Sequence, residues 1–246
     1  MAKRPWYART TWTETDRTEV LVRLRETVGA NEQAACLRKQ AAHLLAQALK
    51  LGRRDPAGAS RDQLLAGARE LNELFLAWFP DSADRAYALT ALGDIEAESG
   101  NTDAALDHYR TALAAQVDST RSTNAHLRFA MVVVGRELTP HFGEALQILE
   151  MHAQPLIYPL EQYQHCGARA LLLASAGQRR THALLCAQDA LAATRYAAID
   201  ENTSFHHRLV QLSETGSVKP ASDASDTSAT SDNRNLKPKD PTHDVP

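Results

Sequence analysis

The sequence has few of the features that mark secreted, membrane or disulfide-stabilised proteins. Its 246 residues include only three cysteines, Cys36, Cys166 and Cys186, which stand far apart in apolar surroundings. Such spacing predicts reduced packing residues rather than a disulfide framework. No apolar run follows the basic residues near Met1, so this segment does not resemble a signal peptide. The longest apolar runs are too short or too interrupted to span a bilayer, and we therefore expect a cytoplasmic protein with no membrane segment.

Strong charge and catalytic motifs are also lacking. The formal net charge is -3, and the arginine pairs at 53–54 and 179–180 belong to no continuous basic stripe, which argues against nucleic-acid binding. The chain contains no G-x-G-x-x-G after a predicted strand, no G-x-x-x-x-G-K-[ST], no H-E-x-x-H and no G-x-S-x-G. No pair of carboxylates stands out by its spacing as a general acid and base. We therefore predict no catalytic residues and no cofactor.

One group of histidine and cysteine residues is a candidate metal site. His165 and Cys166 begin one predicted helix, and His182 and Cys186 lie four residues apart on one face of the next. Imidazole and thiolate groups suit zinc if the two sets meet. However, two antiparallel helices joined near Gly177 would bring His165 opposite the later half of the second helix. We therefore predict no metal site, with these side chains serving as packing or helix-edge residues.

Apolar residues recur with a helical period through most of the chain. The first helix is predicted to open at a capping box, Thr11-x-x-Glu14, and to end at Gly29. Further helices are predicted at about 32–51 and 62–80. The side chains expected in the core from the first helix are Val20, Leu21, Leu24 and Val28. No segment alternates with a period of two between turn signals, so we expect no sheet.

A repeat unit is clearest between Ala86 and Gln116. It contains Leu89-x-x-Leu92-Gly93, then Gly100-Asn101, then Ala105, Tyr109 and Ala112. This pattern resembles the tetratricopeptide repeat, which is a pair of antiparallel helices. The resemblance implies that Gly93 lets the two helices approach closely and that Gly100 supplies a left-handed turn. It also implies that the small and aromatic residues of the second helix pack into the first.

The early alanine of the second helix recurs along the chain. Ala68, Ala105, Ala145 and Ala183 are separated by 37, 40 and 38 residues, somewhat more than the family's repeat of roughly 34. The resemblance covers about 32–198. It implies an all-α, right-handed helical-hairpin solenoid of about four helix pairs, in which stacked neighbours bury each other's apolar faces. Capping helices are then expected at both ends, the second of them at about 201–212.

Both ends of the chain differ from the repeats. We divide the chain into an N-terminal aromatic segment and capping helix (1–30), a helical repeat domain (31–213) and a tail (214–246). The tail is rich in Ser, Thr, Asp and Asn and poor in large apolar residues, which predicts disorder. Three aromatic residues are interspersed with basic ones near the start: Trp6, Tyr7 and Trp12. They either fold back as a cap on the first helices or form an aromatic anchor for a partner.

The resemblance also indicates where a partner would bind. In tetratricopeptide proteins the first helices of successive units line a concave groove that receives peptides. In the clearest unit of this chain the corresponding positions are Tyr87, Thr90, Asp94 and Ala97. Asp94, with Glu96 and Glu98 nearby, would favour a cationic partner. Arg128 and Glu161 are candidates for the rim.

We therefore expect a protein-interaction module, such as an adaptor, a regulator or an immunity-type blocking protein, that binds a protein or peptide. Two alternatives stay open: an enzyme with an unrecognised helical active site, and a structural homo-oligomer built through an end cap. A buried ionisable cluster in a closed pocket would favour the enzyme. An open groove with exposed aromatic residues would favour the adaptor.

Overall fold

A computed structural model describes residues 6–51, 59–116, 122–152, 157–176 and 180–216. Within these ranges the chain forms ten α-helices and no strand, and the predicted all-helical class is confirmed. The helices are α1 (Glu14–Glu26), α2 (Ala30–Leu51), α3 (Ala59–Trp78), α4 (Arg85–Ser99), α5 (Thr102–Gln116), α6 (Ala125–Gly135), α7 (Phe142–Met151), α8 (Pro159–Ser175), α9 (Arg180–Ala193) and α10 (Ser204–Thr215). Short 3-10 turns at Thr139–His141 and Thr194–Tyr196 precede α7 and follow α9.

Consecutive helices pack against each other in adjacent pairs: α2 with α3, α4 with α5, α6 with α7 and α8 with α9. The first helices of successive pairs also touch, since α4 contacts α2 and α6, and α6 contacts α8. Of the two terminal helices, α1 packs on α2, whereas α10 packs on α8, α9 and α6. Residues of α2, α4 and α6 therefore lie side by side.

The α4–α5 pair illustrates how local sequence determines this packing. α4 ends at Gly100, whose φ of +88° lies in the left-handed region that favours glycine. In the middle of α4, Gly93 makes room for the ring of Tyr109, because a Cβ atom built there would lie 2.4 Å from ring atom Cε1. The second-helix residues Ala105, Tyr109 and Ala112 are buried, as expected. The two glycines thus allow both the turn and the close approach of the helices.

Two sequence predictions for α1 are wrong. The capping box is formed by Thr13 and Asp16, whose side chains each accept a hydrogen bond from the other's backbone N–H, at 3.2 Å and 3.0 Å. The predicted pair was Thr11 and Glu14; Thr11 instead donates its hydroxyl to the Asp16 carboxylate at 3.0 Å. Val28, expected in the core, is 87% exposed, because α1 ends before it. The cap that forms has its threonine directly before Glu14, the first residue of α1.

At the other end, α10 extends to Thr215 and is followed by Gly216 with a φ of +67°. The first two residues assigned to the tail by composition, 214 and 215, are therefore helical. Residues 217–246, which carry the rest of the predicted disordered tail, lie outside the described residues.

Two apolar cores meet at α4. The first unites α1, α2 and α3 with Ala88, Leu92 and Ile95 of α4. The second includes Leu89 of α4 and buried side chains from α5 through α10. Because α4 contributes to both cores, its remaining face is held rigidly between its neighbours. Rigid elements are the supports on which a binding site keeps its geometry.

Candidate functional site

A pocket of about 250 Å³ lies between α2, α4 and α6, with one residue of α5 at its base. It combines apolar side chains with charged groups of both signs, as binding pockets with a few placed polar groups do. The lining residues are Leu49 on α2, Asp94, Ala97 and Glu98 on α4, Tyr109 on α5, and Arg128, Met131, Val132, Gly135 and Arg136 on and just after α6.

Asp94 is held at the base of this pocket by two neighbours. The Tyr109 hydroxyl donates a hydrogen bond to Asp94 Oδ1 at 2.9 Å, and Nε of Arg128 lies 3.6 Å from the same oxygen. Burial raises the pKa of Asp94, while Arg128 and the Tyr109 hydroxyl act in the opposite direction. Burial and the Asp94 carboxylate also raise the pKa of Tyr109, so its hydroxyl stays a donor. The Asp94 oxygen facing Tyr109 is therefore already occupied.

The other two acidic residues of α4 are compensated as well. Glu98 accepts a hydrogen bond from Arg61 of α3 at 2.5 Å. Glu96 is buried, and it accepts hydrogen bonds from Arg69 and, at 2.7 Å, from Asn101. The expected preference for a cationic partner assumed that these carboxylates were free. Their pairing within the protein removes the basis for that preference.

The two arginines of the pocket have fewer hydrogen-bond partners in the described structure than its two carboxylates. Arg136 is exposed, and its guanidinium donates to the backbone carbonyl of Ala97 at 3.2 Å. Within the described part of the chain, Arg136 forms no ion pair. The buried Nε of Arg128 likewise has no hydrogen-bond partner among the described residues. The pocket thus presents two guanidinium groups with unused donors.

The four groove residues predicted on α4 lie in different surroundings. Asp94 and Ala97 line the pocket. Tyr87 does not line the pocket; it is 37% exposed, with its hydroxyl 3.0 Å from the carbonyl of Ser122 and the Arg38 guanidinium 5.6 Å from its ring centroid. Thr90 is buried, and its hydroxyl lies 2.8 Å from the carbonyl of Ala86 and 3.1 Å from the Thr123 hydroxyl. Tyr87 and Thr90 therefore form hydrogen bonds with Ser122 and Thr123, the segment that leads into α6.

No family model, curated protein or solved structure matches this chain.

The N-terminal aromatic residues pack onto the first helices. Trp12 is buried against Gly67 of α3, where a Cβ atom would lie 2.3 Å from its ring. Trp6 and Tyr7 are half-buried and meet edge to face at 5.6 Å, and the Lys39 ammonium stands 5.2 Å from the Tyr7 ring centroid. This packing favours the cap over a free aromatic anchor, because the Trp12 ring is inaccessible to a partner.

The histidine and cysteine residues weighed as zinc ligands lie in α8 and α9. Burial raises the pKa of Cys166 to about 11 and also raises that of Cys186. Both thiols therefore stay protonated near neutral pH when no metal ion is bound. Across the described residues, no group of three or more His, Cys, Asp or Glu side chains is arranged to hold a metal ion.

None of the described helices combines the length and apolar character needed to cross a membrane.

The structure contains a cluster of histidines that the sequence does not predict. His126, near the start of α6, stacks on His152, which follows α7, with ring centroids 5.3 Å apart. Burial lowers the pKa of His126 to about 4, helped by His152 and by His165 of α8. The three residues lie far apart in the chain, in repeats whose register the sequence does not define. No spacing signal could have joined them.

Proposed function

We propose that the chain is a protein-interaction module, built as a right-handed tetratricopeptide-like solenoid, that binds a protein or peptide at the pocket between α2, α4 and α6. Several features support the solenoid. The helices pack in adjacent pairs, and the first helices of successive pairs touch. The Gly93–Tyr109 contact and the left-handed Gly100 agree with what the family resemblance implies.

The observation that carries the binding proposal is the mixed chemistry of the pocket. Leu49, 45% exposed, and the half-buried Met131 provide apolar surface, and two arginines with unused donors lie beside them. Apolar anchors surrounded by polar groups are the usual composition of a protein interface. The three cysteines are free, which supports placing the module in a reducing compartment such as the cytoplasm.

Selection from a library of random peptides displayed on phage tests the proposal. Wild-type protein should enrich peptides that fail to bind Met131→Trp, because an indole at that position fills the pocket. The matched control is Met151→Trp on α7, where the native side chain is 65% exposed and does not line the pocket. We expect the control to bind the selected peptides as the wild type does and Met131→Trp to bind them about tenfold or more weakly.

Circular dichroism and melting curves should first establish that both variants are folded. If wild-type protein enriches no peptides, or if the two tryptophan variants bind the selected peptides equally well, the pocket is not the binding surface.

A further inference from the structure

We propose that this pocket selects an acidic segment of its partner, with a carboxylate bound between Arg128 and Arg136 and an adjacent apolar side chain packed on Leu49 and Met131. The inference rests on the proposed function, because it specifies which peptide the same pocket takes. It reverses the preference that the acidic residues of α4 indicate when the sequence alone is considered.

The charge balance of the pocket is the first argument. Its lining contains two carboxylates, Asp94 and Glu98, and two guanidiniums, Arg128 and Arg136. Glu98 already pairs with Arg61 from outside the lining at 2.5 Å. Arg61 also lies 3.7 Å from Asp62, so its charge is shared outside the pocket. With Glu98 compensated from outside the lining, Asp94 alone faces the two guanidiniums of the lining, and the pocket has a surplus of positive charge. Burial also raises the pKa of Asp94 and so disfavours its charged form, which reduces the negative charge in the pocket.

Unused hydrogen-bonding capacity is the second argument. Arg128 reaches Asp94 only at 3.6 Å, beyond ordinary hydrogen-bond length. Its Nε is buried, but the side chain as a whole is 43% exposed, which leaves the terminal NH2 groups accessible to a partner. Arg136 donates to a single backbone carbonyl, that of Ala97. A partner's carboxylate would supply acceptors to both guanidiniums through charge-assisted hydrogen bonds. A lysine or arginine from a partner would instead meet carboxylates that already have partners within the protein, Asp94 with Tyr109 and Glu98 with Arg61.

The placement of the two arginines, Arg128 on α6 and Arg136 directly after its end, is the third argument. Arg128 and Arg136 are eight residues apart, with Val132 between them, so all three lie on nearly the same side of the helix. At 1.5 Å per residue their backbones are about 12 Å apart along the axis. Two long side chains from these positions can converge on one carboxylate. Val132 and Met131 then provide apolar contacts beside it, which favours a peptide over a free inorganic anion.

Peptide selection with charge-reversed protein tests this preference. Wild-type protein should enrich peptides with Asp or Glu next to an apolar residue and should deplete Lys and Arg. Arg136→Glu should invert that bias, whereas Arg25→Glu, an exposed arginine of α1 outside the pocket, should leave it unchanged. For a selected peptide, replacing its acidic residue by the neutral amide should weaken binding to wild type by about tenfold or more. The same replacement should have little effect on binding to Arg136→Glu.

The outcomes separate the two proposals. Peptides that depend on the pocket but have no acidic bias, or whose bias survives Arg136→Glu, would overturn the acidic preference and leave the interaction module standing. A selection that yields no peptides sensitive to Met131→Trp would overturn both. Arg136→Gln serves as a second variant: it should reduce the acidic bias without inverting it, and an unchanged bias in this variant also counts against the proposal.

Discussion

Replacing Gly93 by alanine offers the sharpest test of how the α4–α5 pair is packed. The new methyl group would lie 2.4 Å from Cε1 and 2.6 Å from Cδ1 of the Tyr109 ring. Carbon atoms in contact are normally about 3.5–4.0 Å apart. The ring, which is 1% exposed, or the whole of α5 must therefore shift by more than an ångström. Either movement disturbs the hydrogen bond from Tyr109 to Asp94.

Two terms of opposite sign determine the size of the effect. Alanine is favoured over glycine inside a helix by about 1 kcal/mol. Overpacking a filled interior costs about 1–3 kcal/mol, and the short contact distances point to the upper end of that range. We therefore expect Gly93→Ala to lower the free energy of unfolding by about 2 kcal/mol. At an exposed helical glycine without neighbours, such as Gly143, alanine should instead be neutral or stabilising.

A double-mutant cycle isolates the packing term. In a Tyr109→Ala background the ring is gone, so Gly93→Ala should stabilise the protein by up to about 1 kcal/mol. The coupling energy between the two positions should then be about 2–3 kcal/mol. Urea unfolding midpoints of the four proteins, with Gly143→Ala as control, measure it. If Gly93→Ala has the same effect in both backgrounds, the helices do not approach through this contact and the argument fails.

Three further predictions concern other parts of the fold. Ala105→Leu should lower the free energy of unfolding by about 1–3 kcal/mol, whereas the half-buried neighbour Ala104→Leu should be tolerated better; denaturant midpoints in the reverse order would contradict the register of α5. Arg208 is buried and donates to the carbonyl of Val134 at 3.0 Å, so Arg208→Ala should cost about 3 kcal/mol in the same assay. A negligible loss would mean that α10 is not held by this bond. Because His126 has a folded-state pKa of about 4 against an ordinary 6.5, its contribution to stability should be complete above pH 6.5 and lost as the pH falls towards 4. His126→Gln should flatten the stability profile in that window, and an unchanged slope would rule out this contribution.

The sequence predicted those parts of the molecule that depend on local geometry. Gly100 marks a left-handed helix end and Gly93 a close approach, and each acts within a few residues or within one helix pair. The helical class and the burial of Tyr109 follow from the same short-range pattern. The sequence predicts the capping box two residues too early, because Thr11 and Thr13 both stand three residues before a carboxylate. Only the folded chain selects between them.

The candidate site depends on contacts that no local pattern encodes. Arg61 and Glu98 are 37 residues apart, and Arg69 and Glu96 are 27 apart. Both pairs join α3 to α4 across two repeats of uncertain register. Without these pairs, the acidic face of α4 suggests an anionic groove. Arg136 was missed for the same reason, since its approach to the pocket requires α6 to lie beside α4.

Tyr109 connects the packing of the repeat with the chemistry of the pocket. Its ring fills the space left by Gly93, and its hydroxyl donates a hydrogen bond to the next residue of α4, Asp94, at 2.9 Å. The hydrogen bond competes with Arg128 for the same carboxylate oxygen, whose distance from Arg128 is 3.6 Å. Because the phenol satisfies Asp94, the guanidinium of Arg128 keeps donors for a ligand. The residue that defines the helix pair therefore also leaves the pocket with its positive surplus, and we expect a change in how α5 packs on α4 to alter which peptides the proposed pocket selects.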